Sequence, residues 1–488
     1  MNGEKSLAKN YLFNLIKTLC NVAFPIITFT YTSRILGADG LGKINFSKSF
    51  ISYFSMVAML GINQYGTREA AKVRDNKTKL TKFVHEILIV NFITTTFAYL
   101  LLYFSILFVN KLQDYTILLW INSFSIVMMG MGMEWLYQAL EEYGYIAKRA
   151  ITFQIISIIL MFVFVRNKND VVIYAFINVI SSSGSYVLNF FNVRNYIDIK
   201  PLWNYNLKKH ISPMLWLFAM AVSVELYTVL DSTMLGFICG DTSVGLYTAA
   251  IKVNKMIIGL ITALGTVLIP RLSYYVGLGE YEKLQKLVDK GYNYIFLLSI
   301  PSFIGLFVLS NDIIMLFSGS EYKSACLTMK ILTPIVVVIP FSTMTNNQTF
   351  MPLNKEKLIL ISTCIGAVTN FICNIILIPK FAENGAAIGT VIAELAVASV
   401  CLLNATKLLN MRSIFKNFYQ YWIAALPTVF ISYIVKQMKL NYIVEVGIVM
   451  VISGGLYAGI LYLLKNDYFI LVLKIISTKI CKKKSFQD

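Results

Sequence analysis

The chain has 488 residues, 57% of them hydrophobic and only 14% charged, with a mean hydropathy of +0.67. One core could not bury that much apolar surface, and soluble domains carry roughly 25% charged residues, so a water-soluble enzyme is excluded and the solvent must be a bilayer. The net charge of +18 would suggest nucleic acid in a soluble protein; here it reports first on orientation, and no nucleic-acid partner is expected.

A helix crossing about 30 Å of hydrocarbon needs about 20 mostly apolar residues. Fourteen such runs follow one another, at 11–34, 44–65, 84–109, 115–138, 147–165, 171–192, 211–236, 244–270, 292–310, 325–350, 358–378, 385–406, 417–435 and 442–464. The first resembles a signal peptide behind Lys5 and Lys9, but it exceeds 20 residues and no A-x-A site follows, so it reads as a retained span. Two charged, amphipathic connections, 66–83 and 271–291, are expected to lie on the membrane surface as helices. The fold class is therefore an all-α polytopic membrane protein.

Lys and Arg accumulate on the cytoplasmic side of a membrane protein. Assigning the N-terminus and every second connection to one side places 29 of the 43 there and 9 on the other, so both termini are expected in the cytoplasm. Laid against each other, the halves repeat. Gly37 matches Gly236 at an offset of 199, while Gly42 matches Gly245, and Arg68 matches Arg271, at 203; Gln138 and Gln348 form a more distant pair. Six intervening spans make the repeat parallel, an arrangement that brackets a central cavity in transporters. The expected division is 1–200 for an N-terminal lobe of six spans and a linker, 201–410 for a C-terminal lobe of six, and 411–488 for two more spans and a basic tail.

Five lysines remain inside predicted spans: Lys17, Lys48, Lys252, Lys255 and Lys330. A charge at bilayer depth costs at least about 2.5 kcal/mol, so such residues usually face the bundle interior. Near a span end they can instead snorkel to the interface. Lys17 shares a face with Asn14 and Asn21, and Lys48 with Ser52 and Ser55, while Lys252 and Lys255 lie one turn apart. An anion-receiving cavity would suit them. Glu134, Glu225, Asp231 and Glu394 also fall at depth, either to balance these lysines or to carry a coupling proton or cation, with Glu134 and Gln138 as the best pair. A stripe of Asn178, Ser182, Ser185 and Asn189, and the pair Asn370 and Asn374, suit sugar hydroxyls or interhelical bonds. Gly385/Gly389 and Gly455/Gly459 read as packing sites, and Pro25 as a hinge or a kink. Two histidines, His85 and His210, and seven cysteines without a CxxC pair offer no metal or catalytic constellation, so neither a cofactor nor catalysis is expected.

Arg34-Ile35-Leu36-Gly37 running to Leu41-Gly42, Leu235-Gly236 running to Gly245-Leu246-Tyr247, Glu134-Trp135-Leu136-Tyr137-Gln138, and Gly385-Ala386-Ala387-Ile388-Gly389 resemble one family. It is the polysaccharide-transporter branch of the multidrug/oligosaccharidyl-lipid/polysaccharide (MOP) exporter superfamily, which holds the Wzx-type flippases for O-antigen and capsule repeat units. The resemblance implies two lobes alternating access around a cationic lumen in the bacterial inner membrane. Its cargo would be an undecaprenyl-pyrophosphate-linked oligosaccharide, moved from inner to outer leaflet, with coupling to a proton or sodium gradient and the polysaccharide polymerase machinery as a protein partner. Lysines stand where lipid II flippases favour arginines, which weakens that cargo but keeps the anion logic. The competing readings are a cation-coupled multidrug exporter and a membrane polysaccharide polymerase or ligase.

Overall fold

Hydrocarbon offers a backbone amide no partner, so a spanning segment must satisfy its own hydrogen bonds, and a helix does so within one segment. The computed structural model describes residues 7–474 except 203, 264, 266 and 267; side chains are described from Phe24 onward except at 220, 223, 224 and 226. Asn14, Lys17 and Asn21 thus lie outside the described side chains, and most of the basic tail lies outside the described residues. Among the described residues every regular element is helical.

Among the described residues, ten helices are long and apolar enough to cross a membrane. One of these, Glu356–Ala405, holds two spans separated by a break at Ala382 (φ 46°). Leu7–Met59 holds two more, separated at Gly37 (φ 68°), and Lys208–Ile238 adds another. The result is the fourteen crossings that the apolar runs predict. The short fifth run becomes Tyr143–Phe164; the thirteenth is built in pieces, with Pro427 opening its last helix, Pro427–Gln437, where a missing N–H costs no hydrogen bond. Exposed Phe92, Phe97, Phe108, Phe124 and Phe430 show which faces meet lipid.

The two amphipathic helices begin earlier than expected, at Ile62–Val73 and Ile269–Gly277, and the residues after them already belong to the next long helices, Lys77–Phe108 and Tyr281–Val308. Ile62–Val73 buries Ile62, Tyr65, Gly66 and Ala70 in a core with Leu80, Val84, Trp135 and Met214. A polar network ties the start of Lys208–Ile238 to this core. His210, 1% exposed, joins the Tyr65 hydroxyl at 2.7 Å and the Glu86 carboxylate at 2.9 Å, and Glu86 also accepts from Lys209 and the Asn206 backbone.

Two compact units divide between Thr248 and Ala249. Lys208–Ile238 and the first residues of Asp241–Ala263 therefore pack with the first unit, and glycines explain the closeness of that packing. A Cβ on Gly42 would sit 1.8 Å from the Asp241 carbonyl oxygen, and one on Gly245 would sit 2.0 Å from that of Ala38. Ala38 and Asp241, like Gly42 and Gly245, are 203 residues apart, so the two repeats meet in a reciprocal contact. The turn itself obeys the same offset: Gly37 (φ 68°) answers Gly240 (φ 92°), each in the left-handed region that favours glycine. Gly236, matched to Gly37 by sequence, instead lies against the Phe46 ring, where a Cβ would approach to 2.0 Å.

Gly385 and Gly389 are packing positions as expected, their missing side chains leaving room for the Leu377 carbonyl and the Asn374 amide. Gly455 and Gly459 are not: nothing lies within 4 Å of a Cβ at either position, because both sit on the outward side of Tyr442–Leu463. Gly42→Ala and Gly245→Ala should each lower thermal stability in detergent by about 1–3 kcal/mol equivalent, as overpacking does. Gly455→Ala should leave it unchanged or raise it, since Ala is the better helix former.

Candidate functional site

The first unit encloses a cavity of about 490 Å³, within the usual range for a ligand pocket. Lys48, Ser52 and Ser55 reach it from the second half of Leu7–Met59, Asn63 and Gln64 from Ile62–Val73, and Asn122 and Ser125 from Thr116–Gly132. Ser52 and Ser55 donate to carbonyls of their own helix, at Ser49 and Ile51, which leaves their oxygens free to accept. Lys48 is exposed to this space and has no ion-pair or hydrogen-bond partner among the described residues. Glu225, from Lys208–Ile238, borders the same cavity and forms no ion pair with Lys48.

Behind one wall lies a cluster that the sequence reading only half identified. Thr116–Gly132 stops at Met133 (φ 43°), and the short helix Glu134–Ala139 starts in a new direction. Asn189 donates its amide to the carbonyl of Gly132 that the break frees, and Tyr137 in turn donates to the Asn189 carbonyl. Glu134 and Gln138 each meet a different partner. The Glu134 carboxylate holds the Arg149 guanidinium at 2.7 Å, while Gln138, one turn on, lies 3.5 Å from the Thr67 hydroxyl. Arg149 is 2% exposed at its side chain, donates to Ser185 at 2.6 Å, and stands 5.2 Å from the centre of the Tyr186 ring, which lines the cavity.

The stripe of Asn178, Ser182, Ser185 and Asn189 is split for a related reason. Residues Ile180–Gly184 form a π-helical turn, whose extra residue resets the helical phase. Asn178 and Ser182 consequently border the cavity, whereas Ser185 and Asn189 point back to Arg149 and Gly132. Arg149 lies at the predicted cytoplasmic edge of the apolar run 147–165, where a cation is ordinary, so the sequence does not single it out. Tyr186 carried no signal that would separate it from a core aromatic.

The remaining predicted residues are elsewhere. Asp231 is buried in the first unit and accepts from the Tyr247 hydroxyl. In the second unit Lys252 is half-buried and Lys255 exposed on Asp241–Ala263, Lys330 is half-buried on Ala325–Leu332, and Glu394 is buried on Glu356–Ala405. Asn374 donates to Asn370 within that helix at 3.1 Å. Gln348, the distant match of Gln138, sits in another π-helical turn, Asn346–Phe350, with its amide against Gly265. A second cavity of about 470 Å³ lies in this unit and is mainly apolar, bordered by Leu297, Pro301, Leu306, Val449, Met450 and Tyr457.

A bundle of membrane-crossing helices with a polar, cation-bearing cavity between them is the construction of a membrane transporter. The solved structure titled "Lipid II flippase MurJ, inward closed conformation" has this fold, with a TM-score of 0.75 over 93% of this chain and 100% of its own at 16% identity. An inward-facing multidrug resistance MATE family transporter of the MOP superfamily matches with a TM-score of 0.60 over 80% of this chain and 94% of its own, at 14% identity. Residues 7–276 match the family described as Polysaccharide biosynthesis protein, and the chain belongs to that family; residues 217–376 also match the MatE family. A relative from Escherichia coli (strain K12) named "Putative O-antigen transporter" is 24% identical over 408 residues, which cover 83% of this chain and 98% of its own.

Removing one partner of a buried ion pair strands the other, at a cost of about 3–5 kcal/mol. Glu134→Ala, which strands the buried Arg149 guanidinium, should therefore sharply lower folded yield and thermal stability, whereas Glu134→Gln/Arg149→Gln, which leaves no buried charge, should recover most of both. Equal damage by the single and double variants would show that the pair's charge is not what holds this wall.

Proposed function

We propose that this chain is a flippase that moves undecaprenyl-pyrophosphate-linked oligosaccharide repeat units from the inner to the outer leaflet, for O-antigen, capsule or exopolysaccharide synthesis. It works in the bacterial plasma membrane with both termini in the cytoplasm. The observation that carries this reading is the first-unit cavity, where Lys48, with no partner among the described residues, stands among hydroxyls and amides in a chain of the polysaccharide biosynthesis family. An ammonium attracts the diphosphate as a point charge, and the amides and hydroxyls match the hydrogen-bonding groups of sugars. Lys17, Lys252, Lys255 and Lys330, with Asn14 and Asn21, extend the anion-binding set in this proposal. The apolar cavity of the second unit offers the chemistry that an isoprenoid chain would need.

Glu134 is charge-balancing here, being held by Arg149. Glu225, at the cavity border and without an ion-pair partner among the described residues, is the better candidate to carry a coupling proton or sodium ion, with Asp231 and Glu394 next. A second reading, a cation-coupled multidrug exporter, draws on the match of residues 217–376 to the MatE family. An unpaired lysine in the cavity argues against cationic cargo.

Deleting the gene should accumulate lipid-linked repeat units on the cytoplasmic face and remove surface glycan; repeat units reaching the outer leaflet at the wild-type rate, with no paralogue present, would end the proposal. Drug resistance conferred on a sensitive host, with surface glycan normal after deletion, would favour the exporter. Among Lys17, Lys48, Lys252, Lys255 and Lys330, changes to Ala should abolish surface glycan for at least two, Lys48 included, and changes to Arg should retain part of it. Equal tolerance of all ten substitutions would refute the anion-binding role of these lysines.

A further inference from the structure

Deepening the flippase reading, on which it rests, we propose that Tyr186 is the platform on which a pyranose ring of the cargo stacks, and that Arg149 and Glu134 are positioning residues for it. A pyranose presents two chemistries: C–H groups covering the faces of the ring and hydroxyls around its edge. Binding one takes a flat apolar surface with donors and acceptors arranged beside it. The first-unit cavity offers both. Tyr186 is the sole aromatic among its described lining residues, and Asn122, Ser125, Asn178, Ser182 and Ser183 border the same space.

The Tyr186 ring is partly exposed and held from several directions. Gly132 leaves it room, since a Cβ there would approach the Tyr186 side chain to 2.5 Å. The Arg149 guanidinium stands over the ring at 5.2 Å, where a cation is attracted to the aromatic face. The Glu134 carboxylate fixes that guanidinium and also lies against the Tyr186 hydroxyl. Ser185, from the turn that carries Tyr186, binds Arg149 as well. A buried ion pair spent on orienting one ring at a cavity wall is costly if the ring only packs, and purposeful if a ligand must meet it broadside.

The polar atoms nearby support the same chemistry. Asn122 donates to the Leu118 carbonyl, and Ser182 to that of Asn178, so each turns an oxygen to other partners. Acceptors of this kind suit sugar hydroxyls, which donate, better than they suit a diphosphate, which only accepts. Lys48 supplies the cation for the latter, so the cavity holds separate chemistry for sugar and diphosphate.

The test uses the full-length chain in detergent micelles and saturation-transfer NMR, with methyl hexopyranosides and methyl N-acetylhexosaminides as sugar probes and inorganic pyrophosphate as the anion probe. Transfer to the face protons of at least one pyranoside is expected for the wild type. Tyr186→Phe, which keeps the ring, should bind that sugar within about twofold of wild type, and Tyr186→Leu about tenfold more weakly, with pyrophosphate binding unchanged in both. Glu134→Gln/Arg149→Gln, which leaves the ring but releases it, should weaken sugar binding several-fold at constant pyrophosphate binding, a selective change that general loosening of the fold would not give. If Tyr186→Leu does not fold, Tyr186→Met, long and apolar without a ring, takes its place. No transfer to any pyranoside in the wild type, or undiminished transfer once the ring is gone, overturns the platform. Tyr186-dependent sugar binding beside an unaltered surface glycan on gene deletion supports the platform and defeats only the flippase reading.

Discussion

A helix that crosses hydrocarbon cannot be interrupted without leaving peptide groups unsatisfied, and the first unit depends on how its interruptions are repaired. The fourth crossing breaks at Met133, and the carbonyl freed at Gly132 is taken by Asn189 from the sixth. The sixth carries its own irregularity, the π-helical turn Ile180–Gly184, which aims Ser185 at Arg149. Arg149 in turn binds Glu134, the first residue beyond the break. These repairs close on one another, so a wall made from two irregular helices is held by side chains instead of by a continuous backbone ladder.

The consequence for function is a separation of charges by location. Glu134 and Arg149 hold each other behind the wall, whereas Lys48 faces the cavity without a partner among the described residues. A buried pair contributes geometry more than net attraction, because desolvation offsets most of its Coulomb energy. An unpaired ammonium in a polar cavity remains available to an anion. Glu134 and Lys48 look alike in the sequence as ionisable groups at bilayer depth, yet they serve different ends.

The repeat gives the first unit its other constraint. Glycines at 42 and 245 let helix ends from the two halves touch backbone to backbone, and glycines at 37 and 240 turn the chain just before each contact. A contact made by absent side chains tolerates few replacements, which is why four glycines at one offset are more telling than any of them alone. The single offset of 203 also explains why the first unit extends to Thr248: the seventh helix and the start of the eighth are drawn onto the first and second.

Much of this was legible in the linear chain. Fourteen apolar runs of sufficient length fixed the number and order of the crossings, since the thickness of the bilayer sets helix length and composition reports on the solvent. The repeat was visible in Gly42, Gly245, Arg68 and Arg271, and Lys48, Ser52, Ser55, Asn178, Ser182 and Glu225 of the cavity stood out as polar at that depth, whereas Asn63, Gln64, Asn122 and Ser125 did not. Phase and pairing were not legible. One extra residue in a π-turn aimed Ser185 and Asn189 at Arg149 and Gly132 while Asn178 and Ser182 border the cavity, and the left-handed residue at Met133 freed the Gly132 carbonyl for Asn189 just before Glu134 meets Arg149. Periodicity assumes an unbroken helix, so sequence alone could say which residues were costly to bury, and only the tertiary structure, through its breaks, could decide which of them met one another and which were left facing the cavity.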